Sequence, residues 1–331
     1  MTSESNEGRS QSTASLQTPA ASKDSNGSRS RPHGERRNLL RALLGEAADC
    51  RVLDARMGLF WNAVQTEVGA AITANPYTWF PPSLEGPINR WVGRLLGRSS
   101  LELVQELLME EDRQPCERAL GLAVLNASLQ ADSTDWGNEH FEEVILRLGR
   151  GRRVATLGHF HLSAELRQQL GGTGQVSNRQ ELGETGHELG ETGQVPNRQK
   201  VPNRQKVPNR QELAGLEVFE LSHRMRPGDQ DVRRMQEVLP EIELLALTAT
   251  VLYTADLNAI LAQVNPNAQL ILAGPSAPLH PMLHDWGFCA VSGSIVEEPA
   301  AVLRGVSEGA THSQLKGLRK VTMLRDVHAP R

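Results

Sequence analysis

The apolar residues of this chain fall into two blocks, set off by two long stretches that hold almost none. The first block, residues 37–150, opens at Asn38 with Leu39, Leu40, Leu43 and Leu44, a stripe at helical spacing. Residues 59–65 and 68–73 are short, strand-like and close enough in sequence to pair as a hairpin. After residues 77–82, dense in aromatic side chains and prolines, two helices are expected. One follows Ser99 and Ser100 and carries Leu101, Val104, Leu107 and Leu108; the other covers about 117–129. The block reads as an α+β domain.

The second block, residues 151–331, alternates strands with helices. Strands are expected at 154–159, 216–221, 244–250, 270–273, 290–292 and 321–324, and helices at 163–170, 231–239, 257–264, 281–286 and 299–307. Near-continuous apolar runs such as LLALTAT and AQLILAG suit strands covered on both faces. Alternation of this kind, with right-handed crossovers, predicts an α/β domain with a Rossmann-like, doubly wound and mostly parallel sheet.

The two polar stretches carry a different message. Residues 1–36 are rich in Ser, Thr, Asn, Gln and Gly, and bury too little surface to offset their ordering entropy, so a disordered tail is expected. Residues 171–212 contain a short tandem repeat. ELGETGH at 181–187 recurs as ELGETGQ at 188–194, and VPNRQ begins at Val195, Val201 and Val207. Each copy offers one Val or Leu for packing, so the segment is expected to be a disordered insert. Such an insert is tolerated because loop-closure entropy grows only logarithmically with length.

The hydrophobic fraction of 39% is low because of those two stretches. A formal charge of −4, without a clustered basic face, gives no case for nucleic acid. No apolar run reaches the ~20 residues of a membrane-spanning helix. Three widely separated cysteines, Cys50, Cys116 and Cys289, read as buried thiols, and with no signal-peptide core the expected location is the cytoplasm.

In doubly wound sheets ligands sit beyond the carboxyl ends of the strands. Here those ends carry Gly158-His159-Phe160-His161, then Glu220 with Ser222, His223 and Asp229, then Thr248-Ala249-Thr250, then Gly274-Pro275-Ser276 running on to His280. Imidazoles and carboxylates together suit a transition metal such as zinc, nickel, cobalt or iron, with His159, His161, Glu220 and His223 as ligands. Gly274 and Ser276, placed between a strand and an expected helix, suit an anion. The loop after the first strand is not GxGxxG, which speaks against a dinucleotide. Glu220 could still meet a ribose, which keeps an enzyme with an adenosyl-type cofactor as the alternative.

The runs ALGLAVLNA (119–127), GHF (158–160), VFELSHRMRPGD (218–229), LTATVL (247–252), AGPSAPLHP (273–281) and GLRKVTM (317–323), with RMGLFWNAVQ at 56–65, resemble the bacterial and archaeal family of “putative heavy-metal chelation” proteins. The resemblance implies a first domain like the small N-terminal domain of enolases and a Rossmann-like second domain, with the ligand between them. By matching position it implies that Asn126, Gly158, His159, Phe160, Glu220, Asp229, Thr248, Gly274, Ser276 and Pro278 line the cleft. Two departures are Ala249, where relatives carry glycine, and Tyr253-Thr254-Ala255, where they carry an Asn-containing run. The expected function is binding of a transition metal or a metal complex, with catalysis and a homo-oligomeric state left open.

Overall fold

The computed structural model describes residues 38–78, 91, 93–110, 112–129, 136–160, 216–220, 224–226 and 229–325. The tail 1–36, the repeat segment 171–212, the expected helix 163–170, and both His161 and His223 lie outside the described residues. The chain divides into residues 1–32 and residues 33–331, and everything described below belongs to the second of these.

Helix α1 (Leu39–Glu46) starts where Asn38 accepts hydrogen bonds from the amides of Leu40 and Arg41, at 3.0 and 3.3 Å. That cap fixes the first turn and sends Leu39, Leu40 and Leu43 into the core. Three antiparallel strands follow: β1 (Val52–Met57), β2 (Trp61–Thr66) and β3 (Ala70–Ala74), in the order β1-β2-β3. The expected hairpin is β2–β3, with Trp61 opposite Ala74. Strand β1 was not expected: it is the edge of the sheet, and Asp54 and Arg56 break the apolar pattern that marks a strand.

Helix α2 (Ser100–Val104) runs into a π-helical turn (Gln105–Met109), and α3 (Pro115–Ser128) crosses behind the small sheet. Eleven of the fourteen residues of α3 are buried, far more than one apolar stripe. The reason is its position, with β2 and β3 on one side and the large sheet's Val251–Thr254 turn on the other. A capping box holds its start, where Glu117 accepts from the Gln114 amide at 3.1 Å.

Helix α4 (Phe141–Gly149) leads into the large sheet of β4 (Val154–Leu157), β5 (Leu216–Glu220) and β6 (Gln230–Asp231). The chain continues through α5 (Met235–Val238), β7 (Leu244–Thr248), α6 (Val251–Thr254), α7 (Leu257–Gln263) and β8 (Gln269–Ala273). It closes with β9 (Phe288–Val296), α8 (Pro299–Ser307) and β10 (Leu318–Leu324). The strand order is β10-β9-β8-β7-β4-β5-β6, parallel throughout except for β10, which pairs antiparallel with β9. This mixed α/β architecture is the fold class the sequence implied.

Alternate residues of β7 show how the sheet is covered. Leu244 and Ala246 pack with Val144 and Ile145 of α4, while Leu245 and Leu247 pack into the core shared with α3. Helix α4 was not expected, although Phe141, Val144, Ile145 and Leu148 repeat at helical spacing. The expected helix at 231–239 is instead a chain of short turns, with Met235 and Leu239 its buried contacts. The expected helix at 281–286 is one 3₁₀ turn, Pro281–His284. Among the described residues no helix is long and apolar enough to cross a membrane.

Candidate functional site

Strands β4 and β7 are neighbours, but the chain leaves β4 toward β5 on one side and leaves β7 toward β8 on the other. That reversal makes a crevice at their carboxyl ends, the place where open α/β sheets take ligands. The backbone turns off β4 at Gly158, with φ of +90°, and its amide donates to the Phe219 carbonyl at 2.9 Å. A Cβ at this position would lie 2.3 Å from the Thr248 hydroxyl, so only glycine lets β4 and β7 close to this spacing. Gly274, ending β8, has φ of +128°. A Cβ there would meet Ala249 at ordinary contact distances of 3.7 and 3.8 Å, so conformation rather than space favours glycine.

Above these ends lies a cavity of about 800 Å³. Its floor and walls come from the strand ends (His159, Thr248, Gly274), from β9 and β10 (Ser292, Ser294, Lys320), and from the small sheet (Trp61, Asn75). His159 is held from both sides. Its Nδ1 is 3.0 Å from a Glu220 carboxylate oxygen, and its Nε2 is 2.5 Å from an Asp229 oxygen. Both carboxylates are 3% exposed. Asp229 also accepts from the Arg226 amide at 2.7 Å, and Glu220 faces Arg224 at 3.7 Å. The two contacts, one at each ring nitrogen, pin the ring's orientation and tie β4, β5 and the residue before β6 together.

The donor types, one imidazole and two carboxylates, suit a borderline cation. The geometry does not. A metal shared by an imidazole nitrogen and a carboxylate oxygen at ~2.0–2.2 Å each would hold them roughly 3.4 Å apart at tetrahedral angles. The two contacts here are shorter, and the carboxylates sit on opposite nitrogens. Neither ring nitrogen of His159 reaches a metal unless Glu220 or Asp229 is displaced. Among the described residues no group of three or more His, Cys, Asp or Glu side chains is arranged to hold a metal ion.

The Gly274-Pro275-Ser276 loop differs from its sequence expectation. No helix begins there, because the next helical turn waits until Pro281. The Ser276 hydroxyl accepts from the Ala74 amide at 2.9 Å, and its carbonyl accepts from the Asn126 side-chain amide, also at 2.9 Å. The Tyr253 hydroxyl donates to the Ala74 carbonyl at 3.0 Å, and its burial pushes the phenol pKa upward. The loop is a strut between β8 and β3. Ala249 and Tyr253 are buried at 1% exposure each beside this strut.

Of the residues singled out from sequence, His159, Phe160, Thr248, Gly274 and Ser276 line the cavity. Gly158, Glu220, Asp229, Asn126 and Pro278 stand outside its lining. His280 caps the Pro281 turn through Nδ1, and burial lowers its pKa against the opposing pull of Glu46. Several lining residues were not foreseen: Phe60, Trp61, His140, Phe141, Ser294 and His312. Trp61 and Phe60 stood in the resemblance run at 56–65 but carried no polar signal. His312 lies in the loop before β10, with Nε2 3.3 Å from the Ser294 hydroxyl. Burial and the nearby Lys320 push its pKa down to about 4.

Residues 40–129 match one family model and residues 206–325 another, both described as “Putative heavy-metal chelation”. The chain is similar to a protein of unknown function from the DUF364 family of Desulfitobacterium hafniense DCB-2. That crystal structure is 18% identical with a TM-score of 0.62, over 87% of this chain and 97% of the other. A second such protein, from Pyrococcus horikoshii, is 16% identical with a TM-score of 0.60, over 86% and 98%. No curated protein matches the sequence. At these identities the structures speak for the fold alone, while the two family models, which together match the small sheet and every strand of the large sheet except β4, carry the assignment: the chain belongs to the family described as “putative heavy-metal chelation”.

Proposed function

We propose that this protein binds a transition metal presented as a complex with a small organic molecule, in the cavity over the carboxyl ends of β4, β7 and β8. The observation that carries this reading is the cavity itself, about 800 Å³ at the point where the strand order reverses. Cavities of ~300–1,000 Å³ are the size that encloses small organic ligands. The family description supplies the metal. His159, braced by Glu220 and Asp229, sets the shape of the floor, and the organic molecule supplies most of the donors to the metal.

The adenosyl alternative has less behind it. A ribose needs a free acidic acceptor at the end of β5, and Glu220 is 3% exposed and faces His159 and Arg224.

The test is elemental analysis of the untagged chain after incubation with nickel, zinc, cobalt or iron complexes of carboxylate chelators and removal of the excess. Metal and chelator retained together, in proportion to protein, are expected. A chain that retains none of these complexes would sink the proposal.

A further inference from the structure

We infer that the ligand of this cavity is a flat, unsaturated organic anion, of the aromatic or heteroaromatic carboxylate class, bound between two aromatic walls with Lys320 and Arg226 meeting its acidic groups. The inference rests on the reading above, that the cavity takes a metal complex, and specifies the organic part of that complex.

Phe, Trp and Tyr make up only 4% of this chain. Four of those residues, Phe60, Trp61, Phe141 and Phe160, nevertheless line this one cavity, with the rings of His140 and His312 beside them. The rings form two groups. His140, Phe141 and Phe160 make a continuous tilted row, with centroids 4.6 and 5.2 Å apart, built from the start of α4 and the end of β4. Trp61 of β2 and His312 of the loop before β10 make the second, 5.3 Å apart. Such spacings are those of interacting ring pairs, and further flat surface adds to them favourably.

The charges on the wall select the sign of the ligand. Glu139 is held by Arg147 at 2.8 and 3.1 Å. Glu142 sits in the first turn of α4, 3.9 Å from His140, and Arg224 faces Glu220. Arg226 and Lys320 are exposed, and no carboxylate among the described residues pairs with either side chain. With His312 neutral at physiological pH, Lys320 is the cation of its wall.

The experiment uses the full chain and two nickel complexes, one with pyridine-2,6-dicarboxylate, which is planar, and one with citrate, which is not. Calorimetric titration is expected to give one site that binds the planar complex at least tenfold more tightly. Lys320→Ala, at an exposed position, and Trp61→Leu, checked for an unchanged melting temperature, should each weaken it tenfold or more. Trp61→Phe, which keeps a ring, should lose less. Equal or tighter binding of the citrate complex overturns this inference and leaves the metal-complex reading in place. Failure of both complexes to bind overturns the inference and leaves the metal-complex reading to its own test, and binding untouched by either Lys320→Ala or Trp61→Leu places the ligand elsewhere and overturns the inference.

Discussion

At Gly158 two constraints act on one atom: the backbone has a positive φ, and the Thr248 hydroxyl occupies the space a Cβ would need. Gly158→Ala should therefore cost roughly 2–5 kcal/mol, the sum of left-handed strain and forced overpacking. Urea denaturation measures it, and a loss below about 0.5 kcal/mol, the scatter of neutral surface changes, would show that β4 and β7 can move apart. Adding Thr248→Ala should recover the steric part and leave the conformational part. His159 makes the complementary point. Its place at a strand end is legible in the sequence, but what the ring touches depends on Glu220 and Asp229 arriving from two other segments, which no spacing in the chain encodes.

The Gly274-Pro275-Ser276 loop is where local pattern and tertiary use part company. A strand followed by glycine, proline and serine looks like an anion-binding turn at a helix start, yet here the serine joins β8 to β3. Ser276→Ala leaves the Ala74 amide without its acceptor in a partly buried setting and should cost about 1 kcal/mol. An unchanged denaturation midpoint would refute the strut. The parallel strands were legible because runs buried on both faces, such as Leu244–Thr248, are apolar throughout. Helix α4 is legible in the helical spacing of Phe141, Val144, Ile145 and Leu148. Strand β1 was not legible, since an edge strand with Leu53 outward and Asp54 and Arg56 in its middle has no consistent face. The cavity was legible only on the large-sheet side. Its aromatic half comes from β2, the start of α4 and the loop before β10, brought together by closure of the whole chain.

The two sheets share one interior, and that has a thermodynamic consequence. A single cluster of buried side chains runs from Leu39 and Val64 through Leu120 to Phe219, Leu245 and Leu272. A second seam joins Ala63 and Ile72 of the small sheet to Val302 and Val306 of α8. Unfolding either sheet alone would strip apolar surface from the other, so the two should melt together in one calorimetric transition, with the calorimetric and van't Hoff enthalpies equal. His312 sits at this junction, against Trp61 and Lys320, and its titration should move the whole transition. Its pKa falls from 6.5 in the unfolded chain to about 4 in the folded one, because burial and Lys320 disfavour the charged ring. Between those values the unfolded chain binds a proton that the folded chain refuses, so stability is full above pH 6.5 and declines as pH falls toward 4. The lowered His280 adds a loss of the same sign, so the contribution of His312 is read as a difference. His312→Gln should flatten the fall of melting temperature between pH 6.5 and 4 relative to the parent chain. A parent curve with two resolved transitions, only one of them moved by pH in this range, would show instead that the sheets unfold as separate units.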